Sequence, residues 1–290
     1  MNYENELKLS IAFLQSDAAF EMLDADPYWP KWNSPWWHML LLHEMGETKC
    51  IPAALIKKYV SSLNTLKQKT FAIHPNDLAP GIDPFRDMPC HCQLGNVYQV
   101  LSKWGLDVDK ELPWIRPWLL NYQMSDGGLN CDPDAYLITN EVPSSMVGTI
   151  AVFEAILLYT PRQWTTEENI FLEKAAQFLI NRQLVNGSDT KYNATEKESA
   201  KKWMRLCFPR YYFYDVLRGL TALTIWSEKT KRPLPIEAYH EVLAYLKEHF
   251  SSRQLQAERK SFEGTGTRLI TSSGAWTSGH PATLFPLLEK

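Results

Sequence analysis

Cys90-His91-Cys92 follow Pro89 directly and open an apolar run. A helix N-terminus favours thiolate, and thiolate and imidazole both bind zinc, so zinc-thiolate chemistry is the first chemistry this trio suggests. Adjacent side chains on a helix point about 100 degrees apart, so the three cannot share one ion unless the first turn is distorted. A metal centre therefore needs partners from other stretches. Cys90, Cys131 and His280 are the candidate zinc ligands, with Asp132 as a further donor. The plainer alternative is a buried pair of structural thiols beside a capping histidine. Any cofactor other than zinc is left unknown.

Asp215 and Arg218 stand three apart in a stretch rich in tyrosine. At helical spacing this is an internal ion pair. The sharper alternative is a desolvated carboxyl acting as an acid towards an alkene or ether oxygen. Asp215, His91 and Tyr212 are accordingly the candidate catalytic residues. Eleven tryptophans are many for 290 residues. Most such side chains are packing material, but aromatic faces also attract cations and stabilise carbocations. Trp29, Trp36, Trp37, His38 and Tyr211 are the candidate ligand-binding residues. His43-Glu44 has no second histidine four positions after the first, which excludes the zinc-protease pattern.

The elements that would position these groups are read from proline. Pro35, Pro89, Pro143, Pro209 and Pro281 each precede an apolar run, and proline suits the first position of a helix because its missing N–H would be unpaired there. Five proline-led inner helices are expected, each with room after it for an outer helix and a loop. The outer helices are expected near residues 4–23, 52–66, 111–123, 165–183 and 235–250, the fourth opening with a capping box at Thr165-Thr166-Glu167-Glu168. Residues 188–202 and the Gly, Ser and Thr-rich stretch 262–279 read as loops, and no strand is expected. Trp118–Gly127 aligns without gaps with Phe178–Gly187, an internal repeat. The expected fold is all-α: one α/α-toroid domain over residues 1–290, built of about five helical hairpins, open or small as a ring. Inner helices lying in parallel would gather Trp36, Cys90, Ser144, Tyr211 and their neighbours on one rim.

The formal charge of −3, with 45% hydrophobic and 22% charged residues, describes an ordinary globular chain without the basic face that nucleic acid would require. The acidic start Met1–Glu6 does not read as a secretory signal, no apolar run reaches the length of a membrane span, and a cytoplasmic location is expected. Five cysteines, an odd number, argue for reduced thiols rather than a disulfide framework. The expected partner is a small apolar ligand, with no nucleic acid and no membrane span. Oligomeric state is not fixed at this level.

At Gln123-Met124-Ser125-Asp126-Gly127-Gly128 the chain resembles the repeat of the terpenoid cyclase and protein prenyltransferase superfamily. Asp26–Gly46, Pro89–Gly105 and Phe208–Leu220 look like squalene-cyclase-like and prenyltransferase-like proteins of similar length. The resemblance implies an α/α toroid whose cavity binds, and can transform, an isoprenoid or similar apolar ligand. The Asp-x-Asp-Asp acid of squalene cyclases does not occur; Pro143-Ser144-Ser145-Met146 stands at the equivalent helix start. The Asp-x-Cys pair of protein prenyltransferases is likewise missing. A carbohydrate-active toroid and a non-catalytic helical-repeat binding protein are the alternatives, and whether a reaction is catalysed stays open.

Overall fold

Apolar side chains recurring every three to four residues draw most of this chain into helices. The computed structural model describes residues 3–250, 254–271 and 273–284. Among these the α-helices are α1 (Tyr3–Leu14), α2 (Asp17–Ala25), α3 (Pro35–Glu44), α4 (Ala53–Asn64), α5 (His91–Trp104), α6 (Val108–Glu111), α7 (Ile115–Asn121), α8 (Met146–Tyr159), α9 (Thr166–Asn181), α10 (Ala194–Ala200), α11 (Val216–Thr230) and α12 (His240–His249). The strands β1 (Gly266–Ile270) and β2 (Trp276–Pro281) form one antiparallel hairpin, so the fold is all-α apart from that pair. Contacts divide the chain into two compact units. The first is Met1–Pro89, Val100–Ile115 and Phe262–Lys290, and the second is Cys90–Gln99 and Arg116–Ser261.

In the first unit the centre is α3. Its sequence is apolar on every side, and Pro35 to Leu42 are all buried, with proline at the helix start as expected. Trp36 stacks on Tyr59 of α4, ring centroids 5.4 Å apart, and the Trp37 indole N–H donates to the Tyr28 carbonyl at 3.0 Å. The single outer helix expected over residues 4–23 is two helices, because the Ser16 hydroxyl caps α2 by accepting from the Ala19 N–H.

The hairpin corrects the reading of residues 262–279 as a loop. Lys31 N–H donates to the Arg268 carbonyl at 2.9 Å, which ties β1 to the aromatic loop at 28–32. Gly274, at φ +80°, supplies the left-handed conformation of the turn between the strands. Pro281 therefore closes a strand instead of leading a fifth inner helix. The rest of the expected apolar end, residues 285–288, lies outside the described residues.

The second unit packs α8 against α9 and α11. Helix α8 is apolar all round, and eleven of its residues are buried. The capping box predicted for α9 is present in both directions, Thr165 to Glu168 and back. Where Gly95 of α5 crosses α8, an added Cβ would sit 2.6 Å from the Ala151 carbonyl carbon, so no side chain fits there. The close crossing brings polar groups together inside an apolar core. Arg218 Nη2 donates to Glu154 Oε2 at 2.6 Å and to Asn96 Oδ1 at 3.2 Å, and Gln99 donates to Glu154 at 3.2 Å.

Three inner-helix starts shift from their prolines. Pro89 precedes α5 by two residues, and α8 and α11 begin at Met146 and Val216, well after Pro143 and Pro209. For α8 and α11 the reason is side-chain capping: the Ser145 hydroxyl accepts from the Gly148 N–H at 3.2 Å, and the Asp215 carboxylate accepts from the Arg218 N–H at 2.9 Å. A cap oxygen pairs an N–H that would otherwise lack an intrahelical partner, which proline alone cannot do. The polar stretch 188–202, expected as a loop, contains α10, whose Glu196 accepts from the Met146 N–H at 2.6 Å and seals the start of α8. Among the described residues no helix is long and apolar enough to cross a membrane.

Removing one member of the buried Arg218–Glu154 pair leaves an uncompensated charge. Glu154→Gln is expected to cost about 3–5 kcal/mol in urea unfolding, and the double change Glu154→Leu with Arg218→Met less than that. A single variant within about 0.5 kcal/mol of the parent would contradict this account of the seam.

Candidate metal centre

Cys90, Cys92 and Cys131 meet in the second unit, their sulfurs all within 4.8 Å of one another. Cys90 is the last residue before α5 and Cys92 lies in its first turn, so the helical spacing that would splay them does not apply. Their sulfurs are 3.3 Å apart. This answers the objection raised by the 100-degree rule: the distortion lies at Cys90, and it is His91 that turns away. Cys92, in place of the expected His280, is the third member of the cluster.

Cys131 comes from the loop after the Gly127-Gly128 turn, which is anchored on both sides. The Ser145 N–H donates to the Leu129 carbonyl and the Leu129 N–H to the Thr149 hydroxyl, both at 2.8 Å. Beyond the cysteine, Asp132 N–H donates to Asn130 Oδ1 at 2.9 Å and Asp134 N–H to Asp132 Oδ1 at 3.0 Å. These Asx-type turns fix the backbone that presents the thiol. The Cys92 N–H then donates to the Cys131 sulfur at 3.4 Å.

His91 is held inside. Its Nδ1 accepts from the Trp118 indole N–H at 2.9 Å, which places the ring proton on Nε2, and Nε2 donates to the Tyr136 hydroxyl at 3.0 Å. The Tyr136 hydroxyl in turn donates to the Tyr122 carbonyl at 2.9 Å. Burial pushes the His91 pKa down to about 4. The ring is thus neutral, with both nitrogens engaged, and it positions the start of α5 rather than facing the thiols.

The three thiols share charge. Hydrogen bonds from Cys131 and then Cys92, with the Gln93 N–H, draw the Cys90 pKa well below the usual thiol value against the opposing effect of burial. The hydrogen bond to Cys90 holds the Cys131 proton in place. Of the three thiols, Cys90 is therefore the one that gives up its proton most readily, and Cys131 the one that holds its proton most firmly. For zinc at Zn–S distances of ~2.3 Å, tetrahedral geometry puts sulfurs about 3.8 Å apart, so the cluster could hold such an ion with small adjustments.

The other candidates fall elsewhere. Asp215 is fully buried and uses both oxygens, on Arg218 N–H, Cys207 N–H and Arg210 Nε, each at 2.9 Å. The ion pair expected with Arg218 is instead made by Glu154, because Asp215 takes the helix-cap position and offers the backbone its oxygen. Tyr212 is half-buried against Phe213, and Tyr211 is buried at φ +55°. His280 lies exposed on β2 in the first unit.

Trp29, Trp36, Trp37 and His38 also belong to the first unit and are buried there. Trp29, Trp37, Tyr28 and Trp276 surround the ammonium of Lys31 at 4.6–6.0 Å from their ring centres, so this aromatic group holds a cation of the protein's own. A cavity of about 290 Å³ in the second unit is lined by Trp164, Leu172 and Trp226 together with Asn169, Glu173, Lys229 and Arg232, so charged groups face it beside apolar ones.

No family model, curated protein or solved structure matches this chain.

His38 accepts from the Ser10 hydroxyl at 2.8 Å and donates from Nε2 to Thr283 at 3.1 Å, and burial lowers its pKa from 6.5 to about 3. Between those two values the unfolded chain binds one proton more than the folded one. Stability is therefore full above pH ~6.5 and falls as pH drops towards ~3, by about 1.4 kcal/mol per pH unit for this group. His38→Gln should lessen that slope by one proton in denaturation measured from pH 7 to 4, and an unchanged slope would count against a neutral buried imidazole.

Proposed function

We propose that this is a zinc-thiolate protein in which Cys90, Cys92 and Cys131 hold one ion and leave a fourth position for an exogenous thiol. The observation that carries the reading is the convergence of three sulfurs within 4.8 Å, two of them on partly exposed residues. Thiolates select soft or borderline ions such as zinc and copper(I), and three protein ligands with an open fourth position are the pattern of reactive zinc sites. Three thiolates on a divalent ion leave a net charge of −1, which makes the ion a weak activator of water. A thiol in the fourth position would lose its proton to solvent under the pull of such an ion and would be a nucleophile at neutral pH.

The reaction class this favours is alkyl transfer to sulfur, in which a thiolate held beside the three cysteines would attack an alkyl carbon and the leaving group would depart with the electron pair. The nature of the alkyl group comes from the resemblance to prenyltransferase-like rings, which points to an isoprenoid or similar apolar donor and to a toroidal arrangement of the helices. Within the reading, Cys92 takes the place first given to His280. His91 has a positioning role, through Trp118 and Tyr136.

Elemental analysis of the purified protein should give close to one zinc per chain. Replacement by cobalt(II) should give sulfur-to-metal charge-transfer absorption that strengthens when 2-mercaptoethanol is added. Cys92→Ser and Cys131→Ser should each weaken metal binding at least about tenfold, while Cys50→Ser leaves it unchanged. Metal retained at one equivalent after all three cluster cysteines are replaced would sink the reading. A cobalt spectrum indifferent to added thiol would remove the alkyl-transfer half of it.

A further inference from the structure

We propose that Cys90 and Cys131 are an oxidation site, a pair that peroxide converts to a disulfide with release of the bound ion. The inference rests on the metal reading for the release step, and on the sulfur geometry alone for the disulfide. Cys90 and Cys131 are both partly exposed, whereas Cys92 is only 6% exposed. Of the three residues, the first two therefore lie nearer to solvent. Their sulfurs lie within 4.8 Å, and a disulfide needs about 2.05 Å. The approach is set by the fold: Cys90 stands at the start of α5, and the Cys131 loop is pinned to the first turn of α8 through Leu129, Ser145 and Thr149.

The chemistry balances with hydrogen peroxide as the oxidant. The Cys90 sulfur attacks one peroxide oxygen; an S–O bond forms, the O–O bond breaks, and hydroxide leaves, giving a sulfenic acid. The Cys131 sulfur then attacks the Cys90 sulfur; the S–S bond forms, the S–O bond breaks, and a second hydroxide leaves. The two sulfurs together lose two electrons and the peroxide gains them. Two of the three ligands are thereby lost, and Cys92 alone cannot keep the ion. Two equivalents of an external thiol reverse the step, returning two electrons and the site.

The test uses the full chain carrying Cys50→Ser, since Cys50 is exposed and would otherwise add unrelated cross-links. After zinc loading, the protein is treated with hydrogen peroxide. Released zinc is followed with a chromogenic chelator, and disulfides are mapped by mass spectrometry after alkylation of remaining thiols. The expected result is one zinc released per Cys90–Cys131 disulfide, with both changes reversed by dithiothreitol. In Cys131→Ser the cross-link should vanish, and dimedone should trap Cys90 as its sulfenic acid. The proposal is overturned if Cys90 and Cys131 stay alkylatable after peroxide, if the disulfide joins Cys90 to Cys92, or if zinc stays bound while the disulfide forms. A protein that never binds zinc defeats the metal reading separately, and the peptide map then still decides whether this pair is the one oxidised.

Discussion

The second unit depends on a guanidinium with little access to water. Arg218 is 6% exposed, and removing such a charge from water costs several kcal/mol unless its donors are met inside the protein. They are met by Glu154 of α8, Asn96 of α5 and the carbonyls of Phe213 and Tyr211 ahead of α11. Three helices and a loop must therefore keep one relative arrangement. Only a glycine at position 95 lets α5 and α8 approach closely enough for that. Asn96 carries the constraint one step further, because its amide also donates to the Cys92 carbonyl at 2.9 Å. The turn of α5 that bears the thiol is tied to the ion pair.

The thiol cluster reverses the usual logic of a core. Protonated thiols packed in this way are small apolar groups, whereas three thiolates at the same distances would repel one another strongly with little water to screen them. Hydrogen bonds within the bare cluster favour loss of the proton at Cys90 and its retention at Cys131. A divalent ion is the simplest addition that would let all three lose their protons together. Neutral His91, locked between Trp118 and Tyr136, contributes no positive charge that could do so in its place.

How much of this was legible in the sequence follows from where the information was local. Helix existence was legible: α3 and α8 declare themselves by apolar residues on every side, and α9 by its capping box. Helix starts were less so, because proline and a capping oxygen compete. At Pro35 proline lies at the start, whereas at Ser145 and Asp215 the side-chain oxygen sets the boundary, and the helices begin three and seven residues after Pro143 and Pro209. The hairpin was missed because all six residues of β2 are exposed, so no alternation of apolar and polar residues marks it. For the cluster, Cys90 and Cys131 were legible as ligands by residue type. Cys92 was set aside by assuming that the helix already includes Cys90, a boundary that only the backbone reveals.

The repeat that pairs residues 118–127 with 178–187 explains why the cluster forms in one copy and not in the other. In the first copy Gly127, at φ +93°, makes the turn, and the chain continues through Gly128 into Leu129 and the cysteine loop. In the second copy Gln183 and Leu184 carry the positive φ values, and the chain reverses before Gly187 is reached. The segment that follows goes into α10 and buries Glu196 beneath α8. One copy thus delivers a thiol to the start of α5 and the other delivers a carboxylate to the start of α8. In both, the turn after an outer helix decides which helix N-terminus receives the next polar side chain. Gly148 completes the arrangement: a Cβ there would lie 2.8 Å from the Leu129 carbonyl oxygen, so the cysteine loop can rest on α8 only where α8 has no side chain. The position of Cys131 is accordingly a property of helix packing, set by glycines in α8 and in the turn, more than of the loop that carries it.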